Sequence, residues 1–316
     1  MMKHIAIVIV THNGWEDTLD CLRSIAHLEK DGVSLSVVHV DNHSEKFEIR
    51  NSKFETIITS LKSKQICFEN IRLNSNRGFS GGNNEGIKKA LENGADYVML
   101  LNNDTVVHKD LVMNLTRAAE EKSDAGITGP KIYFAEGYEY HHSRYGLKER
   151  GKVIWYAGGM IDWDNVYLSH RGVDEVDRGQ YDREEETGFI TGCCMFVKRE
   201  VFEKVGFLDE RYFLYLEDAD FCIRAKKKGF LTWYIPHAVL WHRNAQSTGK
   251  PGSPLHVYYQ TRNRLLFGMN YAPLRTKFAL IRESMKLLRE GGVRRKAVTD
   301  YFTGRMGKGS IHQINK

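Results

Sequence analysis

Three stretches of this 316-residue chain hold polar residues in arrangements that can do chemistry. The first is Asn102-Asn103-Asp104, which follows an uninterrupted apolar run from Tyr97 to Leu101. A carboxylate beside two amides is an oxygen-only donor set, suited to Mg²⁺ or Mn²⁺ carrying a diphosphate. The same pattern also describes a strand ending in an Asn/Asp-rich turn. The second stretch is Glu217-Asp218-Ala219-Asp220, three carboxylates in four residues among Phe213, Leu214, Tyr215, Leu216 and Phe221. Repulsion and burial in such a cluster raise at least one carboxyl pKa, as a general base requires. A solvated acidic helix start is the other reading, and the apolar neighbours argue against it. The third stretch, Asn76 to Gly86, has four glycines and three asparagines ahead of a helix. Glycine lets backbone N–H groups close on a phosphate, and a helix N-terminus favours negative charge. The spacing fits neither GxGxxG nor GxxxxGK[ST], and a tight loop with a helix cap accounts for it equally well. Asp41 stands at the exit of an apolar run, where an acid can grip a ribose or a base. His242, after Trp241, would be a competent ligand for a divalent ion already held by one carboxylate, although a lone histidine is more often structural.

These residues need elements to position them. Ile5–Val10, Ser36–Val40, Ile71–Leu73 and Tyr97–Leu101 read as strands. Between them, Trp15–Leu28 and the segment ending at Asn93-Gly94 read as helices, and Lys109–Lys122 as another. Strands alternating with helices predict right-handed βαβ units and a parallel sheet, with Tyr97–Leu101 as a central strand covered on both faces. Residues 43–65 are polar and poorly patterned. Residues 126–180, rich in Gly, Tyr and His, read as an irregular β or loop insertion with short strands such as Lys152–Tyr156. Thr187–Val197 reads as a strand, Arg199–Val205 as a short helix and Phe213–Lys228 as a helix capped by Gly229.

Composition narrows the class. At 41% hydrophobic residues the chain can bury a substantial core, and its length suits one large domain or two small ones. Mean hydropathy is −0.46, and no apolar run reaches the roughly 18 residues of a membrane span. The N-terminal apolar run is short, lacks a cleavage site and reads as a strand rather than a signal peptide. Five cysteines without CxxC spacing point to reduced thiols in a cytosolic compartment. The net charge is +6, but Pro273–Lys316 holds eleven Lys/Arg against three Asp/Glu, leaving the rest about −2. A near-neutral body without a recognised motif argues against nucleic acid. The basic tail suits an anionic surface.

The ordered set Val10-Thr-His-Asn13, Val40-Asp-Asn-His-Ser44, Asn76-Arg-Gly-Phe79, Asn83-Asn-Glu-Gly86, Leu101-Asn-Asn-Asp-Thr105, Thr191-Gly192, Glu217-Asp-Ala-Asp220 and Trp241-His242 resembles family 2 glycosyltransferases. It is most similar to their bacterial rhamnosyltransferase-like branch. Phe207-Leu-Asp-Glu210 and Tyr258-Tyr-Gln-Thr-Arg-Asn263 add to the match, which covers about residues 5 to 267. The resemblance implies an α/β GT-A fold: a Rossmann-like, mainly parallel central sheet flanked by helices, with a C-terminal helical extension. Residues 1–268 would form the transferase domain, about 1–105 as the nucleotide-sugar half and 106–268 as the acceptor half, with 269–316 as a basic extension. The implied activity is inverting transfer from a nucleotide-diphosphate sugar to a hydroxyl of a glycan or lipid-linked acceptor, in surface polysaccharide synthesis. dTDP-rhamnose is the branch's most frequent association, with UDP- and GDP-sugars open.

By the same resemblance, Asp218 is the base with Glu217 beside it. Thr11, His12, Asn13, Asp41, Asn76, Gly78, Asn84 and Asn103 contact the donor, and Thr191, Gly192 and Asp220 the acceptor. Asp104, at the last position of the DxD element, and His242 hold Mg²⁺ or Mn²⁺. The first DxD position is Asn102, a neutral and weaker ligand. Nucleotidyltransferases share a Rossmann-like core, but Thr11-His12-Asn13-Gly14 lacks their Gly-rich, Arg/Lys-bearing loop. A non-catalytic sugar-nucleotide-binding protein is expected to lose the Glu217–Asp218 pair, which is present. In the tail, Leu274, Phe278, Ile281, Met285 and Leu288 form an apolar stripe interspersed with Arg275, Lys277, Arg282, Lys286 and Arg289. It reads either as a helix packed on the domain or a partner, or as peripheral contact of residues 273–308 with the inner face of the cell membrane.

Overall fold

The computed structural model describes residues 2–46, 51–244 and 252–311. The first part of the chain runs β1 (Lys3–Thr11), α1 (Trp15–Ile25), β2 (Val33–Asp41), α2 (Ser52–Ser63), β3 (Cys67–Arg72), α3 (Gly78–Glu92), β4 (Tyr97–Asn102), β5 (Thr105–Val107), α4 (Leu111–Glu121) and β6 (Ala125–Phe134). Short strands β7 (Ile154–Tyr156), β8 (Gly159–Asp162), β9 (Tyr167–His170) and β10 (Glu185–Glu186) follow. Then come β11 (Cys194–Lys198), α5 (Arg199–Val205), α6 (Glu217–Lys226), β12 (Leu231–His242), α7 (Pro254–Tyr271), α8 (Leu274–Glu290) and α9 (Gly292–Phe302).

The apolar run at 97–101 is an inner strand, as its two-sided pattern requires. Tyr97, Met99 and Leu101 enter one core, while Val98 and Leu100 enter the other. Burying each such side chain contributes about 1.5–3 kcal/mol, so the strand is fixed from both sides. The main sheet is ordered β10-β12-β6-β11-β4-β1-β2-β3, with β5 on β12 and β7 on β6. β3, β2, β1 and β4 are mutually parallel, and so are β6 and β12. β11 runs antiparallel to both β4 and β6 and separates the two parallel blocks.

Several local expectations change. Residues 43–65 include α2, which is capped by the Asn51 side chain accepting from Lys53 N–H at 3.0 Å. It buries only Phe54, Ile57 and Leu61, too few to stand out among polar neighbours. The Asn76–Gly86 stretch is mostly helix, forming the first turns of α3 packed flat on the sheet. A Cβ at Gly86 would sit 2.3 Å from Val8, so glycine is needed for the approach. The start of the 126–180 segment is β6, buried at every position but Tyr133 despite Gly126, Gly129, Pro130 and Lys131. Pro130 has no N–H to give, and β12 shifts register there, Ile235 lying opposite Pro130 and Val239 opposite Lys131. The Thr187–Val197 strand is confined to Cys194–Lys198, and the Phe213–Lys228 helix begins only at Glu217, because residues 213–216 are a strained loop. Among the described residues no helix is long and apolar enough to cross a membrane.

Candidate active site

A cleft of about 1580 Å³ opens beyond the carboxyl ends of β1, β2 and β4, where open α/β sheets bind ligands. His12 follows β1, Asn42 follows β2 and Leu101–Asp104 ends β4; all line it. Opposite walls come from the 137–173 insertion, from Thr191–Cys193, from Phe213–Asp218 and from α7, α8 and α9.

β5 pairs with β12 so that Thr105 lies opposite His242. This register brings together two residues 138 positions apart: His242 Nε2 lies 3.1 Å from Asp104 Oδ1, both buried on the cleft wall. Trp155 packs edge-on to the His242 ring at 4.6 Å between centroids. His242 Nδ1 is buried without a hydrogen-bond partner among the described residues. A buried carboxylate and an imidazole whose Nε2 faces it, both lining a cleft, fit a divalent ion held between them. No third His, Cys, Asp or Glu completes a cluster among the described residues, so other ligands would come from a diphosphate or water. Burial holds the neighbouring His170 near pKa 4, and therefore neutral.

Asp218 lies in the first turn of α6, half-buried on the cleft wall. Its Oδ2 accepts from Gly192 N–H at 2.9 Å and its Oδ1 from Ala219 N–H at 2.8 Å. Burial raises its pKa, while those N–H bonds pull against the rise. Glu217 is pushed well above the usual carboxylate range, by burial first and by Asp218 second. Its Oε2 is buried without a hydrogen-bond partner among the described residues. The loop before α6 is held in an unfavourable shape: Phe213, Tyr215 and Leu216 have φ of +65°, +71° and +71°. Non-glycine residues in this region cost about 1–3 kcal/mol each and persist only when surroundings fix them. Here the fixing groups come from α7. Asn263 Nδ2 donates to the carbonyls of Tyr212, Leu214 and Tyr215 at 2.8–2.9 Å, and Arg262 Nη2 to those of Arg211 and Tyr212 at 3.0 and 2.9 Å. Both side chains are fully buried. The Phe213 carbonyl in turn accepts from Phe79 N–H at 2.7 Å, tying this loop to the start of α3. Gly78 sits there at φ +70°, with no room for a Cβ against that carbonyl.

The structure brings His12, Asn76, Gly78, Asn103, Asp104, Thr191, Gly192, Glu217, Asp218 and His242 to one cleft. Thr11, Asn13, Asp41, Asn84 and Asp220 are not among its lining residues. Thr11 Oγ1 bonds Thr18 and His39 beneath the cleft floor. Asn13 Oδ1 accepts from Glu45 N–H, and Asp41 holds Ser44 N–H and Arg72. Asn84 exchanges hydrogen bonds with the Leu208 backbone, and Asp220 holds Tyr212, Tyr271 and Arg224. Sequence reasoning passed over Asn42, which bonds Arg77 N–H and the Gly78 carbonyl, each at 2.9 Å. It also passed over Trp155 and His170 in the insertion, whose density of aromatic and histidine residues was the available signal.

The sequence model of Glycosyl transferase family 2 matches residues 6–206. The chain belongs to this family. An N-acetylglucosaminyl-diphospho-decaprenol L-rhamnosyltransferase of Mycobacterium tuberculosis is 31% identical over 52% of this chain and 53% of its own length. This family member thus spans about half of that relative. The dTDP-rhamnosyl transferase RfbF of Shigella flexneri is 26% identical over 87% of this chain and 83% of its own. The low-salt glycan biosynthesis hexosyltransferase Agl10 of Haloferax volcanii is 26% identical over 84% and 76%. These relatives mark the rhamnosyltransferase-like branch of family 2. The crystal structure of GalNAc-T7 with UDP, GalNAc and Mn²⁺ superposes with a TM-score of 0.66 at 17% identity, covering 95% of this chain and 55% of that one. The fold is GT-A.

Proposed function

We propose that this family 2 protein is an inverting glycosyltransferase, moving a sugar, rhamnose first among the candidates, from a nucleotide-diphosphate sugar to a hydroxyl of a glycan or lipid-linked acceptor in surface polysaccharide synthesis. The observation that carries the reading is the meeting of Asp218, the Asp104–His242 pair and the N-terminus of α3 in one cleft. Asp218 takes the proton of the acceptor hydroxyl, whose oxygen bonds the anomeric carbon from the face opposite the leaving group. The bond from that carbon to the diphosphate oxygen breaks, the nucleotide diphosphate departs and the configuration inverts through an oxocarbenium-like transition state. The buried Glu217 favours its neutral form, so one carboxylate rather than two carries charge beside the acceptor. A Mg²⁺ or Mn²⁺ ion held by Asp104 and His242 would supply charge neutralisation to the departing diphosphate.

His12, Asn76, Gly78 and Asn103 contact the donor in this reading, while Thr11, Asn13, Asp41 and Asn84 hold the loops that carry them. Thr191 and Gly192 face the acceptor, and Asp220 braces α6 behind them. Residues 1–268 act as the transferase unit, with 1–105 on the nucleotide side and 106–268 on the acceptor side, and 269–316 as an appended element that brings residues 273–308 to the membrane. Two alternatives, a nucleotidyltransferase and a non-catalytic binder, account less well for a backbone-anchored carboxylate facing the cleft.

The test is thermal shift of the full chain with UDP, dTDP, GDP and their sugars, with and without Mn²⁺. A ligand that binds only the folded state raises stability by RT ln(1 + [L]/Kd). A Mn²⁺-dependent rise with one nucleotide class, followed by nucleotide release when an acceptor is added, is expected. No shift with any nucleotide overturns the reading.

A further inference from the structure

Helix α8 has three distinct faces. It packs on the body through Thr276, Leu280 and Ser284, all buried. Its larger apolar side chains point elsewhere: Leu274 and Phe278 are 73% and 71% exposed, Met285 is half-exposed, and Ile281 and Leu288 are about a third exposed, at 37% and 36%. Steps of four, three, four and three residues put these five on one stripe. Arg275, Arg282, Lys286 and Arg289, at steps of seven, four and three, share the adjoining flank, and Lys277 lies on the stripe's other edge. Among the described residues, only Lys286 of this row has an ion pair, with Glu290 at 3.6 Å. Arg294, Arg295 and Lys296 follow in the first turn of α9, and Arg294 lines the cleft.

An apolar stripe this exposed, rimmed by cations most of which have no ion-pair partner among the described residues, marks a contact surface. We propose that this face of α8 docks the protein on an anionic membrane surface. The stripe enters the boundary between headgroups and acyl chains, and the basic row pairs with lipid phosphates. A second copy of the chain is the poorer occupant, because two-fold pairing of the stripes would set like-charged rows against each other. No helix among the described residues is long and apolar enough to cross the bilayer, so the helix lies on it. Glu283 and Leu287 of the same helix line the cleft. These two lie on the side of α8 away from the stripe, so docking sets the outer end of the cleft one helix diameter, ~10 Å, from the bilayer surface, within reach of a lipid-linked acceptor. That consequence alone rests on the transferase reading; the docking itself does not.

The experiment is flotation of the full chain with vesicles of phosphatidylglycerol and phosphatidylcholine, against phosphatidylcholine alone, at low and high salt. Expected are binding to the anionic vesicles only, weakening as salt screens the pairing. The variants Phe278→Ser/Met285→Ser and Arg275→Gln/Arg282→Gln/Arg289→Gln each lower partitioning about tenfold or more at unchanged Tm, since their side chains sit outside the core. Failure of the full chain to bind anionic vesicles at low salt overturns the docking. So does light scattering that finds a dimer which the Phe278/Met285 variant dissolves. The nucleotide-dependent thermal shift, read on the same samples, keeps the two ideas apart. A shift without flotation removes the docking alone, and flotation without any shift supports the docking while removing the transferase reading.

Discussion

The side-chain amide of Asn263 donates to the carbonyl of Tyr212 at 2.9 Å, and the same nitrogen reaches the carbonyls of Leu214 and Tyr215. One buried amide thereby fixes the left-handed turn that delivers Asp218 to the cleft. Asn263→Ala leaves those carbonyls underbonded in a buried place, a cost of about 1–3 kcal/mol, and lets the turn relax. The expected result is kcat down by about tenfold or more with little change in donor KM. In an Asp218→Asn background the second substitution should add almost nothing to the loss of kcat. Additive losses would show that Asn263 acts only through general stability.

Replacing Asp218 by Asn keeps its size and its place at Gly192 but removes the proton acceptor. Transfer should fall by about 10²-fold or more, while the thermal shift with nucleotide is retained. Turnover like that of the unaltered protein would take the role of base away from Asp218.

Raised pKa values at this pair have opposite consequences for rate and for stability. If Asp218 is the base it works ionised, so kcat/KM should climb with pH through a value above the ordinary carboxylate range, giving a displaced acid limb. For stability, Glu217 binds its proton more tightly folded than unfolded. Its contribution is therefore present below the unfolded pKa and is lost as pH rises through the raised folded pKa. Glu217→Gln removes that loss. It should match the parent in acid and be more stable by about 1–3 kcal/mol at neutral and alkaline pH, the size of a buried polar group's penalty. Melting curves across pH would show it, and parallel curves for the two proteins would contradict it.

Loss of either member of the Asp104–His242 pair should separate metal from nucleotide. Asp104→Asn and His242→Ala are expected to abolish the Mn²⁺-dependent part of the nucleotide thermal shift and leave a weaker, metal-independent part. Chelation of the unaltered protein should reproduce the same residual shift. A Mn²⁺ response that survives both substitutions would put the ion elsewhere.

What the sequence reveals follows from whether its physical cause is local. Tyr97–Leu101 is legible as a two-sided strand because burial on both faces leaves no polar alternation. Asp104 and Asp218 are legible because carboxylates after or among apolar residues are rare unless used. β6 was hidden, since Gly129 and Pro130 look like turn residues; they are in fact a close approach to Ile190 and a register shift in a distant strand. Lys131 in the same strand is buried against Asp177 at 2.8 Å, a partner 46 residues on. Arg262 and Asn263 read as part of a family pattern, but what they hold is set by the packing of α7 against a loop 48 to 51 residues upstream. No window of sequence contains both halves of that contact.

The antiparallel strand β11 gives the sheet a seam. On one side lie β4, β1, β2 and β3 with the residues that would meet a nucleotide; on the other lie β6, β12 and the aromatic insertion between them in sequence. Backbone hydrogen bonds cross the seam regardless of side-chain identity, so either side can drift, lengthen or be exchanged while the other keeps its register. On the transferase reading, a protein divided in this way could change which glycan it extends without relearning how to hold its activated sugar.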